Sequence, residues 1–246
     1  MDRRYADKYR ALYERHWWWR SREDEILWHL RRIRLHGSPP RILDVGCGDG
    51  LFFPQLERFG EVEGIENDGA VIAPTVERAR RIHVRPFDAS FAPGRRYDLI
   101  TMLDVLEHFP DRVATLRRAL ELLAPDGTLL ITLPAFQSLW TAHDEFNQHY
   151  VRYTRRSFLA DADQAGVRVD EMRYFFLWPA AVKLLVRLKE GLLGGAPEPA
   201  EVPPAPINAL LYAACRIENR VGRVVPFPVG SSLIVRAGHR RATLEP

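Results

Sequence analysis

Over its 246 residues the chain has only two cysteines, three methionines and three lysines, and no run approaching the roughly 18 consecutive apolar residues of a membrane-crossing helix. Cys47 and Cys215 are far apart in sequence, which excludes a disulfide framework and a cysteine-based metal spacing and makes a reducing compartment the default. The stretch Met1-Asp2-Arg3-Arg4-Tyr5-Ala6-Asp7 has no apolar segment, so no secretory signal is expected. Positive charge is nearly all arginine, 32 of the 35 basic residues, and it is scattered; with a net charge of +3, nucleic acid is not an expected partner. No internal repeat is present. The length suits one α/β domain with additions, and a cytoplasmic location is expected.

What is present centres on Arg41-Ile42-Leu43-Asp44-Val45-Gly46-Cys47-Gly48-Asp49-Gly50, followed by a helix-compatible apolar run from Leu51 to Phe59. A short apolar strand entering alternate glycines and then a helix is a ligand-binding βα turn, because only glycine lets backbone approach a ligand so closely. The dinucleotide fingerprint is missing, since Leu51 stands where its third glycine belongs. Asp44, at the strand end, would repel a pyrophosphate and suits an ammonium or sulfonium charge. S-adenosylmethionine carries both, and its carboxylate suits the N–H groups at the start of the following helix.

With these residues the chain resembles the class I S-adenosylmethionine-dependent methyltransferases, and the likeness runs over roughly residues 40 to 175. Twenty-two residues beyond Asp44, Glu66 closes a second strand where a ribose diol would be held. Phe87-Asp88-Ala89 resembles the family's adenine contact, and Leu103-Asp104 ends a fourth strand leading into Val105-Leu106-Glu107-His108. The resemblance implies cofactor contacts from Asp44, Gly46, Cys47, Gly48, Gly50, Glu66, Asp88, Ala89, Leu103 and Asp104. A Trp- and Arg-containing N-terminal segment in relatives places Trp18 and Arg22 near the methionine end, with plain core packing of the tryptophans as the alternative.

The expected fold is α/β. It is a Rossmann-like, seven-stranded, mostly parallel sheet with helices on both faces, an N-terminal helical segment and a helical insertion before the last strand. Strands are expected near 41–45, 62–66, 82–86, 97–103, 127–133, 168–176 and 231–237, the last antiparallel as the family implies. Right-handed crossovers gather Asp44, Glu66, Asp88 and Asp104 at one edge. The expected units are a helical cap over 1–36, a core over 37–176 plus 226–240, and an insertion over 177–225 with a Pro-rich linker. Ser21 is the expected N-cap of a helix over 22–35.

Asp104, Glu107 and His108 stand at i, i+3 and i+4, the spacing of one helical face. That face suits a divalent metal or a general base at His108, but the bland reading, acidic residues favouring a helix dipole, is stronger, and no metal is expected. The stretch 138–153 leaves the sheet at the ligand edge and is rich in chemistry-bearing residues. His143 and His149 are catalytic candidates there, and Asp144 and Arg152 acceptor-binding ones, with a loop held by Arg and Asp pairing as the rival reading. In 181–192, Ala181, Leu184, Leu185, Leu188 and Leu192 recur at helical spacing opposite Lys183, Arg187 and Glu190. Two readings follow: a lid helix packing its leucines on the sheet or a second subunit, or peripheral membrane contact through 175–193. The expected activity is methyl transfer to oxygen, nitrogen or carbon of a small or lipid-like acceptor; a non-catalytic cofactor-binding or membrane-associated protein is the other reading.

Overall fold

The structure, a computed structural model, describes residues 10–72, 77–193 and 200–240. Residues 1–9 of the expected cap and 194–199 of the Pro-rich stretch lie outside the described residues.

Seven strands form one sheet in the order β3-β2-β1-β4-β5-β7-β6. They are β1 (Arg41–Val45), β2 (Glu61–Glu66), β3 (Ile82–Val84), β4 (Tyr97–Leu103), β5 (Leu123–Pro134), β6 (Val167–Phe175) and β7 (Ser232–His239). β1 to β5 pair in parallel, and β7 runs antiparallel to both β5 and β6. β3 stops two residues early. β5 starts four residues earlier than expected because Leu123 already pairs with Tyr97, ahead of a register shift.

Strand residues alternate between two cores, as a pleated sheet requires. Leu43, Ile100, Ile131 and Val235 face one side with helices α3 (Arg112–Leu122) and α5 (Arg155–Ala165). Ile42, Leu99, Leu130 and Ile234 face the other with α1 (Trp17–Leu30) and the short α2 (Phe53–Leu56). Asp111 caps α3 through Ala114 N, and Thr154 and the left-handed Gly166 bound α5, as their residue types predict.

The N-terminal expectation needs correcting. Residues 10–15 are helical, and α1 begins at Trp17 with His16, not Ser21, as its cap; His16 Nδ1 accepts from Trp18 N at 3.1 Å. Ser21 lies inside the helix, its hydroxyl donating to Trp17 O at 2.7 Å. After β6 come α6 (Leu177–Leu193) and α7 (Ala205–Val224). Polar clasps tie α7 to α1: Asn208 accepts from Trp17 N at 2.9 Å, Tyr212 donates to Asp24 at 2.7 Å, and Arg223 pairs with Glu25 at 2.9 Å.

Candidate active site

At the C-terminal edge of the sheet the chain passes through Gly46, Gly48 and Gly50, with φ of 65°, 56° and 74°. Glycine alone enters this region cheaply, and at Gly46 a Cβ would also lie 2.5 Å from Val105 Cγ2. At Gly48 a Cβ would meet open space, and its N–H donates to Glu66 Oε2 at 3.0 Å. The other Glu66 oxygen accepts from Asp68 N at 3.0 Å, so the carboxylate is fixed in direction.

Asp44 is buried and accepts from the Thr101 hydroxyl at 2.6 Å. Burial pushes its pKa up to about 7, despite the lowering effects of Thr101 and Arg22. Cys47 lines the turn with a thiol raised by burial and then by Asp44 and Glu66, so it stays neutral. Asp88 is exposed beside Ala89 on the cavity wall, its Oδ1 accepting from Ser90 N and Oγ.

Arg22 reaches from α1 to this edge. Its Nε lies 2.5 Å from Asp104 Oδ2, and its Nη2 donates to Thr132 Oγ1 at 3.2 Å. Asp104 has a left-handed φ of 57°, so it does not share a helical face with Glu107 and His108, contrary to the spacing argument. Only a 3-10 turn, Leu106–His108, forms there. Trp18 lines the same cavity, with its ring 5.7 Å from that of Phe176.

Across the cavity stands the loop after β5. Asp144, on α4 (Ala142–Phe146), is wholly buried. It accepts from His149 Nδ1 at 2.9 Å, Arg152 Nε at 2.8 Å and Thr141 N at 2.9 Å, and Lys183 Nζ lies 3.8 Å away. Burial alone would raise its pKa. The His149 hydrogen bond and the charges of Lys183 and Arg152 outweigh that and hold the carboxyl well below the usual range. Arg152 also donates to Ala135 O at 2.9 Å. The acceptor-binding expectation is therefore corrected for Asp144: it stands behind His149, with its acceptors used, and Arg152 is locked beside it.

His149 carries the face that remains. Its ring meets His108 edge-on at 4.7 Å, and His143, His108 and His149 all line the cavity. Burial lowers His108 and His143 to about 4 each, so both are neutral at neutral pH. Glu107 is wholly buried, and neither carboxylate oxygen has a hydrogen-bond partner among the described residues. Burial, then the Asp104 charge, push its pKa well above the usual carboxylate range. Ligand atoms of Glu107, His108 and His149 lie within 4.8 Å of one another, a carboxylate and two imidazoles suited to a divalent metal, with Asp144 behind one imidazole as such sites often have.

One cavity of about 2090 Å³ joins the two halves. That exceeds the roughly 300–1,000 Å³ of a typical small-molecule site and leaves room for a cofactor and a second reactant.

A family profile described as a methyltransferase domain matches residues 15–172, which takes in the glycine turn, Glu66, the Leu103-Asp104 edge and the histidine loop up to β6. The chain belongs to the methyltransferase-domain family. Its seven-stranded sheet, with β7 antiparallel, is the fold expected from the sequence. A curated relative, the ubiquinone biosynthesis O-methyltransferase of Xanthomonas campestris pv. campestris strain B100, is 32% identical over 147 residues, 51% of this chain and 59% of that protein. The chain thus spans less than two thirds of the curated relatives it matches. Among solved structures, a chain of the Haloferax volcanii complex between the Trm112 methyltransferase activator and a methyltransferase is similar at a TM-score of 0.60, with 15% identity and 97% of each chain covered. A sarcosine dimethylglycine methyltransferase structure from Galdieria sulphuraria is similar at 0.55, with 15% identity and 87% and 84% coverage. At such identities the likeness is one of fold.

Three groups in and around the cavity are not marked by the sequence. Thr101, in mid-strand, looks like any β-branched strand residue, yet it holds Asp44. Trp178 stacks on Trp17 at 5.1 Å and joins the insertion to α1. Lys183 falls on the polar side of an amphipathic helix, and burial lowers its pKa to about 8. The one signal for it was composition: a lysine in a chain that otherwise uses arginine.

Proposed function

We propose that this protein binds S-adenosylmethionine along Asp44, the glycine turn, Glu66 and Asp88, and transfers its methyl group to a small or lipid-like acceptor held beside His149. The observation that carries this is the single cavity with an acid-lined cofactor edge on one side and the Asp144–His149 pair on the other. The curated relatives, named O-methyltransferases, support an oxygen acceptor. When bound, the cofactor supplies an electrophilic methyl on a sulfonium that leaves as a neutral thioether.

The chain's own residues do the rest. Asp44 and Asp104 meet positive charge, Glu66 accepts from a ribose diol, and Arg22 is placed for the methionine carboxylate. Asp144 receives the Nδ1 proton of His149 in a hydrogen bond, which leaves Nε2 free to take the acceptor hydroxyl proton as the new oxygen–carbon bond forms. Holding the acceptor in line with the methyl supplies much of the rate, since displacement demands a linear approach.

Calorimetry with S-adenosylmethionine and its demethylated product is expected to show binding in the range of about 1 μM to 1 mM. Heat from NADH and none from either compound would defeat the reading. Glu66→Gln is expected to weaken binding by about 1–3 kcal/mol, because a charged acceptor becomes neutral; unchanged affinity would remove Glu66 from the ribose. The acceptor is found by incubating the protein with methyl-labelled cofactor and an extract fractionated by polarity, and label is expected in a low-polarity fraction.

A further inference from the structure

Helix α6 is amphipathic, and its polar side is the side that faces the protein. Lys183 points toward Asp144, Arg187 donates to Gln137 O and Trp140 O at 3.2 and 2.9 Å, and Glu190 accepts from Ala142 N at 3.2 Å. The leucines look outward: Leu185 is 65% exposed, Leu188 55% and Leu192 84%. A lid packing its leucines on the sheet is therefore excluded. Helix α7 repeats the pattern, with Ile207, Leu210, Ile217, Val221 and Val224 exposed at spacings of three, seven, four and three. The helices meet where Glu218 accepts from Leu177 N and Trp178 N, both at 2.7 Å. Side chains in such number on adjoining helices exceed the scattered apolar exposure of an ordinary surface.

We propose that the outer faces of α6 and α7 form a docking surface for an anionic lipid bilayer. Charge complementarity selects this occupant. The only acids on the two helices, Glu190 and Glu218, are turned inward onto backbone N–H groups. The exposed charges left on their outer sides are Lys189, Arg216 and Arg220, with Arg216 also 3.8 Å from Asp24. Anionic head groups neutralise these cations while their stems lie along apolar chains; a second copy would bring cations against cations. No helix among the described residues is long and apolar enough to cross a membrane, so the contact lies in the interface plane. Val182 and Val186 belong both to α6 and to the cavity wall. The surface thus adjoins the cavity mouth, and a lipophilic acceptor would pass from bilayer to site along α6. That entry route rests on the proposed methyl-transfer reading; the docking surface does not.

The test is co-sedimentation of the full chain at low salt with vesicles of phosphatidylcholine alone and of phosphatidylcholine with phosphatidylglycerol. Pelleting is expected with the anionic vesicles and little with the neutral ones. Leu185→Glu plus Leu188→Glu, and separately Leu210→Glu plus Ile217→Glu, are expected to lower the partition coefficient about 100-fold each, with binding of the demethylated cofactor unchanged as the check on folding. Should a leucine variant fail to fold, Lys189→Ser plus Arg220→Ser changes only exposed charge and is expected to weaken anionic-vesicle binding about tenfold. The proposal is overturned if the intact protein stays in the supernatant, or if the variants pellet like the parent. It is also overturned if ultracentrifugation shows a dimer dissociated by the same substitutions without vesicle binding, which assigns the face to a second copy. A protein that binds cofactor but no vesicles loses the surface and keeps the methyl-transfer reading; vesicle binding without cofactor binding does the reverse.

Discussion

S-adenosylmethionine is expected to bind roughly 20-fold more weakly at pH 5.5 than at pH 7.5, because Asp44, raised to about 7 by burial, must ionise to receive a cation. The sign follows from linkage. With its folded pKa above the unfolded value, Asp44 binds more protons in the native state, so the stability it contributes is lost as pH rises toward 7. A cationic ligand favours the ionised form and recovers that loss, so affinity and ligand-induced thermal stabilisation both rise over this window. His108 and His143, each at about 4, titrate below it. Asp44→Asn is expected to flatten the dependence and to lower affinity at pH 8 by about 10- to 100-fold, since a charge-assisted interaction becomes a neutral one. Calorimetry at four pH values on both proteins measures this; a parent affinity independent of pH would take Asp44 out of contact with the cationic end.

Turnover is expected to fall about 100- to 10,000-fold in His149→Ala, the range of a lost general base, with cofactor affinity within about twofold of the parent. His143→Ala and His108→Ala are expected to cost less, because both imidazoles are weak bases at about 4 and neither is oriented by a buried carboxylate. Asp144→Ala carries a second consequence. It strips the partner from buried Arg152, and is expected to destabilise the fold by about 3–5 kcal/mol, as an uncompensated buried charge does. Urea unfolding reads that loss, and the shift of the acidic limb of the pH–rate profile in Asp144→Asn reads the orienting role. Turnover equal to the parent in all three histidine variants would leave positioning alone to explain the rate. Chelator treatment separates the uses of His149: activity lost and regained on adding Mg²⁺ or Zn²⁺ assigns it to a metal held with Glu107 and His108, and unaffected activity leaves it as the base.

Much of the proposed cofactor edge was legible as backbone geometry, because that geometry is local in sequence. A strand running into alternate glycines dictates left-handed backbone at Gly46, Gly48 and Gly50 wherever the segment folds. Alternating strands and helices with right-handed crossovers then bring Asp44, Glu66 and Asp88 to one edge with no further information. The caps at Asp111, Thr154 and Gly166 are local in the same sense, since each depends on one residue and its nearest few positions.

What lay beyond the sequence was direction. Periodicity says which residues of α6 share a face, and says nothing of which face the protein covers; Lys183, Arg187 and Glu190 turn inward because the loop after β5 offers them a buried carboxylate, two carbonyls and a backbone N–H. The spacing of Asp104, Glu107 and His108 predicted one helical face, but the ion pair with Arg22, more than 80 positions earlier, accompanies a left-handed Asp104, and the trio that forms instead draws His149 from a distant loop. Asp144 and His149 were both visible as chemistry-bearing residues. Only packing decided that one would be buried as the orienting charge and the other left to face the cavity, because burial depends on neighbours that the tertiary fold alone supplies.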